Sequence, residues 1–275
     1  DGSIPSVDEP MTTWYPEWVG TPKEDMTLRH VLQMDSGMRW NEDYSLEDGP
    51  SDVIDMVATV SDHLEYATTR PSEVPPGTRW QYSSGDSMLL SGVIEQATGM
   101  SAGEYAREHL FEPIGMEQVE WWADAEGHTL TYCCLDATSR DYARFGLLYL
   151  HGGEWAGDQV VPADWVEESL TPSPNEEGYG YQWWLHTDEM DDAVPEDLFL
   201  AQGFDGQWTY VMPSLDLVVV RNGTYVRTDG PAIADPTLFE HYPPAGLVEG
   251  RGTRPPELPW SHAELLGPIV EAVGA

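Results

Sequence analysis

The spacing of apolar residues changes once along this chain, and that change limits the folds open to it. Up to Leu170 the apolar positions recur at helical intervals. Val53, Ile54, Val57 and Val60 mark residues 50–69, Met88, Leu89, Val93, Ile94 and Ala97 precede Gly99, and Tyr142, Phe145, Leu148 and Tyr149 precede Gly152-Gly153. From Tyr179 the pattern becomes strand-like, over residues 179–186, 198–202, 207–212 and 217–221, the last two joined by Pro213-Ser214-Leu215-Asp216. A final helix follows the capping box Ser261/Glu264, and Pro268 is expected to kink it. Helices, then antiparallel strands, then a helix predict an α+β fold in which helices cover one sheet.

Punctuation refines this reading. Thr27 is placed to cap a short helix from Leu28 to Met34, Ser101/Glu104 form a capping box, and Thr138 and Asp141 mark another helix start. Residues 155–161 read as an irregular turn before a helix introduced by Pro162. Residues 223–259, rich in Gly and Pro, are expected to form a long surface excursion. The whole, 1–275, reads as one domain, mainly helical over 26–175, with the sheet and last helix in 176–275.

Charge narrows the partners. The chain has 49 acidic residues against 12 basic ones, a formal −37, and lysine occurs once, at Lys23. Such a surface repels nucleic acid and anionic membranes, which need clustered Lys and Arg. The acids run through every segment, which predicts a folded, acid-coated protein adapted to salt. No apolar stretch approaches the ~20 residues of a membrane-spanning helix. The chain opens Asp1-Gly2-Ser3-Ile4 without a Met or signal peptide, so a processed or partial product is expected. Compartment and oligomeric state stay open.

Most chemistries find no footing. The eight histidines form no HExxH pair, and Cys133-Cys134 has no second pair, so neither a metal nor a cofactor is expected. Adjacent cysteines bridge only with strain, so no structural disulfide is expected either. Carboxylate pairs arise by chance among so many acids. The stretch Trp80-Gln81-Tyr82-Ser83-Ser84-Gly85-Asp86, behind Pro75-Pro76-Gly77, presents a phenol at the mouth of a helix. Tyr82 is placed like a catalytic group, though a tyrosine there also reads as a packing residue whose hydroxyl has found a partner. Ser36, Ser83 and Ser84 are nucleophile candidates by residue type alone; turn and cap roles explain them better.

Several stretches together resemble the class C β-lactamase-related serine hydrolases, over nearly the whole chain. Met26 to Gly37 resembles the helix and turn after the nucleophile helix. Arg39-Trp40-Asn41-Glu42-Asp43-Tyr44 resembles the tyrosine-bearing loop of aminohexanoate-oligomer hydrolases. Gln81-Tyr82-Ser83-Ser84 resembles the family's second motif, whose tyrosine assists proton transfer. Thr138 to Gly146 resembles a later family helix, and Ala201 to Trp208 falls where the third motif lies. The order and spacing of these stretches carry the resemblance.

The resemblance implies a β-lactamase/transpeptidase-like fold and cleavage of a small-molecule ester or amide through an acyl-serine. It implies that Tyr82 relays a proton and that Tyr44 hydrogen-bonds the leaving amine or lies over the substrate; Tyr44 reads equally as an exposed loop aromatic. It further implies that the Phe204 N–H forms half of an oxyanion hole, Gly203 lets the strand approach the substrate, and Asp205 stands where this branch can carry His. A phenol suits proton relay when nearby cationic charge lowers its pKa. Two departures bear on this. The Ser-x-x-Lys nucleophile motif is absent, since Gly20 stands three residues before Lys23; the family places that helix upstream of Asp1. Ala201 replaces the usual lysine of the third motif, which disfavours penicillin and favours a neutral ester or amide. Without the Ser-x-x-Lys segment the chain as given is expected to have little or no such activity, and the competing expectation is a non-catalytic binding protein or a degenerate relative that keeps only the cleft.

Overall fold

Short polar side chains start most of the α-helices of this chain, and their hydrogen bonds explain where those helices begin. The computed structural model describes residues 2–44, 50–186, 194–223 and 261–274. Two compact units emerge, the first built from Asp1–His109 and Val119–Asp136, the second from Leu110–Gln118, Ala137–Thr224 and the C-terminal helix.

In the first unit Thr27 caps α1 (Leu28–Leu32) through a capping box closed by His30. Ser51 caps α2 (Asp52–Thr59) and Asp62 caps α3 (His63–Thr68). The single helical pattern read over 50–69 is thus two helices, because Val60 is extended and Asp62 captures the Glu65 N–H at 2.7 Å. Ser83 caps α4 (Ser84–Thr98), which ends at Gly99 in the left-handed conformation. The Ser101/Glu104 box opens α5 (Ala102–Ala106), continued by a π-helical turn, Arg107–Phe111. β1 (Val119–Trp121) pairs with β2 (Leu135–Ala137). α4 is buried on most sides: Met88, Leu89 and Val93 are core residues, and the Tyr15 hydroxyl donates to the Leu89 carbonyl at 2.6 Å.

The second unit holds the sheet. Thr138 caps α6 (Ser139–Leu150). Residues 155–161, expected to be irregular, contain a small hairpin, β3 (Glu154–Trp155) with β4 (Asp158–Gln159). Ala156 and Gly157 both have positive φ, as a two-residue hairpin loop requires. Pro162 stands immediately before α7 (Ala163–Ser169). β5 (Trp184–Leu185), β6 (Phe199–Gly203), β7 (Gln207–Met212) and β8 (Leu217–Arg221) form an antiparallel sheet in that order. The strand expected over 179–186 shortens to two residues because Gln182 is left-handed and the Gly180 N–H folds back onto the Trp183 carbonyl at 2.9 Å. Ser261 and Glu264 close their box, at 2.7 and 3.2 Å, before α8 (His262–Gly274), which runs on through Pro268. The expected excursion at 223–259 lies almost wholly outside the described residues.

Strand alternation sorts the core into two faces. Leu200, Trp208, Tyr210 and Met212 pack with Leu266 of α8. Phe199 and Val211 point the other way and pack with Tyr149 of α6, Val166 of α7 and Trp183. Each such buried side chain contributes about 1.5–3 kcal/mol. The sheet is therefore covered on both faces, and the α+β expectation holds.

Candidate functional site

Tyr82 sits between two pinned residues. Before it, the Gln81 N–H donates to the Met34 carbonyl at 2.8 Å, and the Gln81 side-chain amide donates to the Trp40 carbonyl. After it, Ser83 Oγ accepts the Asp86 N–H at 3.0 Å and fixes the start of α4. The turn therefore holds the phenol at the helix entry, as the sequence suggests.

A carboxylate stands beside the phenol. The charged group that acts on Tyr82 is a carboxylate, Glu42, and burial together with that charge pushes the phenol up to about 12. At neutral pH Tyr82 keeps its proton.

Glu42 organises the cluster. Its Oε1 accepts the Tyr44 hydroxyl at 2.7 Å and the Ser84 hydroxyl at 2.6 Å. Its Oε2 accepts the Ser84 N–H at 3.0 Å and the Trp40 indole N–H. Burial, then Glu42, push the Tyr44 phenol well above its ordinary value. Tyr44 and Tyr132 both pack against the cluster of Trp40, Val53 and Met56. Trp40 in turn lies on Gly85: a Cβ there would come within 2.6 Å of the indole ring, so this position of α4 has no room for a side chain.

The serines are occupied as caps and ties. Ser36 Oγ donates to Asp86 Oδ1 at 2.8 Å, and Ser83 Oγ lies 3.2 Å from the same oxygen. Asp86 is 1% exposed. Burial raises its carboxyl to about 7, and the bonds from Ser36 and Ser83 only partly offset this. Lys23 is equally engaged: Nζ donates to the Thr68 carbonyl at 2.6 Å and lies 4.5 Å from the Trp18 ring centre, and burial lowers its pKa to about 8.

In the second unit, Gly203 ends β6 and pairs with Gln207. A Cβ on Gly203 would lie 3.1 Å from Gln207 Cβ, a tight approach across the hairpin that the glycine avoids. Phe204 opens the 3-10 turn Phe204–Gly206, and Gly206 closes it with φ +77. Asp205 is the turn's middle residue; its side chain lies outside the described residues. Arg221 donates to the Gly206 carbonyl at 2.6 Å and holds the turn against β8.

Sequence reasoning missed Glu42 and Tyr132. Nothing marks one glutamate among 49 acids, and its partner Ser84 is 42 residues away. The adjacent cysteines correct an expectation outright: Cys133 and Cys134 are joined by a disulfide. Their link is accommodated because Cys134 takes the left-handed conformation, φ +68. No group of three or more His, Cys, Asp or Glu able to hold a metal occurs among the described residues. Nor is any described helix long and apolar enough to cross a membrane.

Comparison with known proteins extends over most of the chain. The 6-aminohexanoate-dimer hydrolase of Paenarthrobacter ureafaciens is 25% identical over 243 residues, 80% of this chain and 60% of that protein. The chain thus spans about 60% of that relative's length. A Bacillus anthracis structure, described provisionally as a 6-aminohexanoate-dimer hydrolase, superposes with a TM-score of 0.65 at 24% identity, over 79% of this chain and 60% of the other. A family VIII carboxylesterase superposes with a TM-score of 0.61 at 15% identity, over 80% and 70%. These two likenesses bear on the fold. The Beta-lactamase family profile matches residues 5–238, and on that extent the chain belongs to the Beta-lactamase family.

Proposed function

We propose that the protein is a serine hydrolase cleaving small neutral esters or amides through an acyl-serine intermediate. The observation that supports this best is the seating of Tyr82, a protonated phenol at the entry of a buried helix, on a chain of this family. A phenol raised to about 12 is a proton donor at neutral pH and not a base. In this reading Tyr82 protonates the leaving group, and recovers its proton from the nucleophile side. A lysine brought beside it would lower its pKa and let both transfers run.

Glu42 acts as a positioning residue: it ties the Tyr44 hydroxyl to the first residue of α4, two positions after Tyr82. Tyr44 would meet the leaving group. The Phe204 N–H would stabilise the developing oxyanion with the nucleophile's own N–H. Gly203 would leave the strand end open to substrate, and Asp205 would disfavour a carboxylate there. The nucleophile would be the serine of a Ser-x-x-Lys segment encoded upstream of Asp1, activated by its lysine.

One observation favours a second reading, a non-catalytic binding protein. The single lysine of the sequence is buried and hydrogen-bonded to the backbone, so it offers no base. Labelling the full-length gene product with a fluorophosphonate separates the two. A labelled Ser-x-x-Lys serine, with turnover lowered about 10²–10⁴-fold in Tyr82→Phe, is expected for the hydrolase. No label and no such motif would leave the binding reading.

A further inference from the structure

We propose that the Cys133–Cys134 disulfide is a thiol-exchange latch that holds Tyr132 on His63. This rests on the first unit's own geometry and is independent of the hydrolase reading.

The link joins adjacent residues, so it closes a small ring that includes their shared peptide. Cys134 stays at φ +68, a region that side chains with a Cβ rarely adopt, within that ring. Both cysteines are only half-buried, so a small thiol can reach them. Hydrogen bonds also hold the turn that they terminate. The Cys133 N–H donates to the Leu130 carbonyl at 3.0 Å, and the Trp121 indole donates to the Leu130 and Cys133 carbonyls at 2.9 Å. The Trp122 N–H donates to the Cys134 carbonyl at 3.2 Å, and Thr131 Oγ1 donates to the Ser87 carbonyl of α4 at 2.7 Å.

Tyr132 immediately precedes the disulfide. Its hydroxyl lies 3.0 Å from His63 Nδ1, and its ring packs on the Trp40 cluster. His63 is fully buried and starts α3, its N–H donating to Asp124 Oδ2 at 2.9 Å. Charged groups near it are Asp62, the cap of α3, and Asp124 on the loop after β1. Burial lowers the imidazole to about 4.

Reduction is a two-electron step. A dithiol attacks one cysteine sulfur as thiolate, forms a mixed disulfide, and then closes on itself. The Cys133–Cys134 S–S bond breaks, two cysteine thiols take two protons, and the dithiol leaves as its cyclic disulfide. Without the ring, Cys134 is free to leave the left-handed region. The turn then relaxes at its C-terminal end, Tyr132 withdraws, and water reaches His63.

The test uses the chain as isolated, with dithiothreitol as the reductant. Before reduction, iodoacetamide should add to no cysteine; after it, to two, with the far-UV spectrum retained. The NMR titration midpoint of the His63 ring should rise by at least one pH unit towards its ordinary value and return on reoxidation. The Cys133→Ser/Cys134→Ser variant should show the raised midpoint without reductant. Two alkylatable cysteines before reduction would overturn the proposal. So would a His63 midpoint that ignores reduction, or reduction that unfolds the unit as a whole.

Discussion

Ser84, the first residue of α4, gives both its N–H and its hydroxyl to the carboxylate of Glu42, at 3.0 and 2.6 Å. A carboxylate at a helix N-terminus is favoured by the free N–H groups and the helix dipole. Here it comes from another loop, so the same contact fastens that loop, with Trp40 and Tyr44, to the turn carrying Tyr82.

Glu42→Gln tests this clamp. An amide offers one acceptor oxygen to donors that now share two, and turns an NH₂ towards the rest. Hydrogen bonds to charged groups are worth about 1.5–3 kcal/mol each, so a loss on the order of 3 kcal/mol is expected in urea unfolding. The phenol titration of Tyr82 should fall below about 12 yet stay above its ordinary value, because burial is the larger cause of its shift. An unchanged Tyr82 titration would remove Glu42 as its electrostatic neighbour.

Asp86 and His63 pull stability in opposite directions with pH. The Asp86 carboxyl is raised from 3.8 to about 7, so its contribution is full below pH 4 and is lost as pH rises through 7. The span corresponds to on the order of 4 kcal/mol. His63 is lowered from 6.5 to about 4, so the unfolded chain binds the proton first and stability falls as pH drops through that window. Asp86→Asn should therefore gain on the parent in melting temperature from pH 4 to about pH 7 and hold that gain above it. Stripped of the opposing slope, it should also show a steeper acid loss below pH 6.5. A constant offset between the two proteins across that range would mean that Asp86 is ionised when folded.

Local chemistry is what the sequence makes legible. Thr27, Ser83, Ser101, Thr138 and Ser261 each accept from a backbone N–H three residues on, so the helix starts follow from neighbouring letters. The strand faces follow from alternation, as Phe199 and Leu200 show by packing on opposite sides. Tyr82 is legible as a turn residue at a helix mouth; its neighbours are not. Glu42 reaches it through folding, across 40 residues, and with burial raises its pKa. Left-handed Ala156, Gln182 and Cys134 hide a hairpin, a fold-back and a disulfide, because none of these residue types signals that conformation.

Gly85→Ala is expected to destabilise, against the usual trend. Alanine ordinarily improves a helix interior by roughly 0.5–1 kcal/mol over glycine. At Gly85 the added Cβ would meet the Trp40 ring at 2.6 and 2.7 Å. That ring is 3% exposed and its N–H is held by Glu42, so it has little room to move. A net loss of about 1–3 kcal/mol should appear in denaturant unfolding. Gly103→Ala in α5 is the control: its nearest neighbour, Thr129 Oγ1, is 3.4 Å away, and a neutral or positive change is expected. Stabilisation at Gly85 would show that the indole yields.

Salt should stabilise this protein by screening. With a formal −37, most carboxylates have no basic partner to meet, and the Arg–carboxylate pairs among the described residues include Arg29–Asp8, Arg70–Asp52, Arg79–Glu73 and Arg144–Asp141. The remaining charges repel one another over the Debye length, about 10 Å at 0.1 M salt and about 3 Å at 1 M. The melting temperature should therefore climb with NaCl up to about 1 M and then level off, since little repulsion is left to screen. An equal concentration of sucrose, which is excluded from protein surfaces without screening charge, should not reproduce the early rise. A melting temperature flat from about 0.1 to 1 M NaCl would mean that the net negative charge costs the fold nothing at low salt.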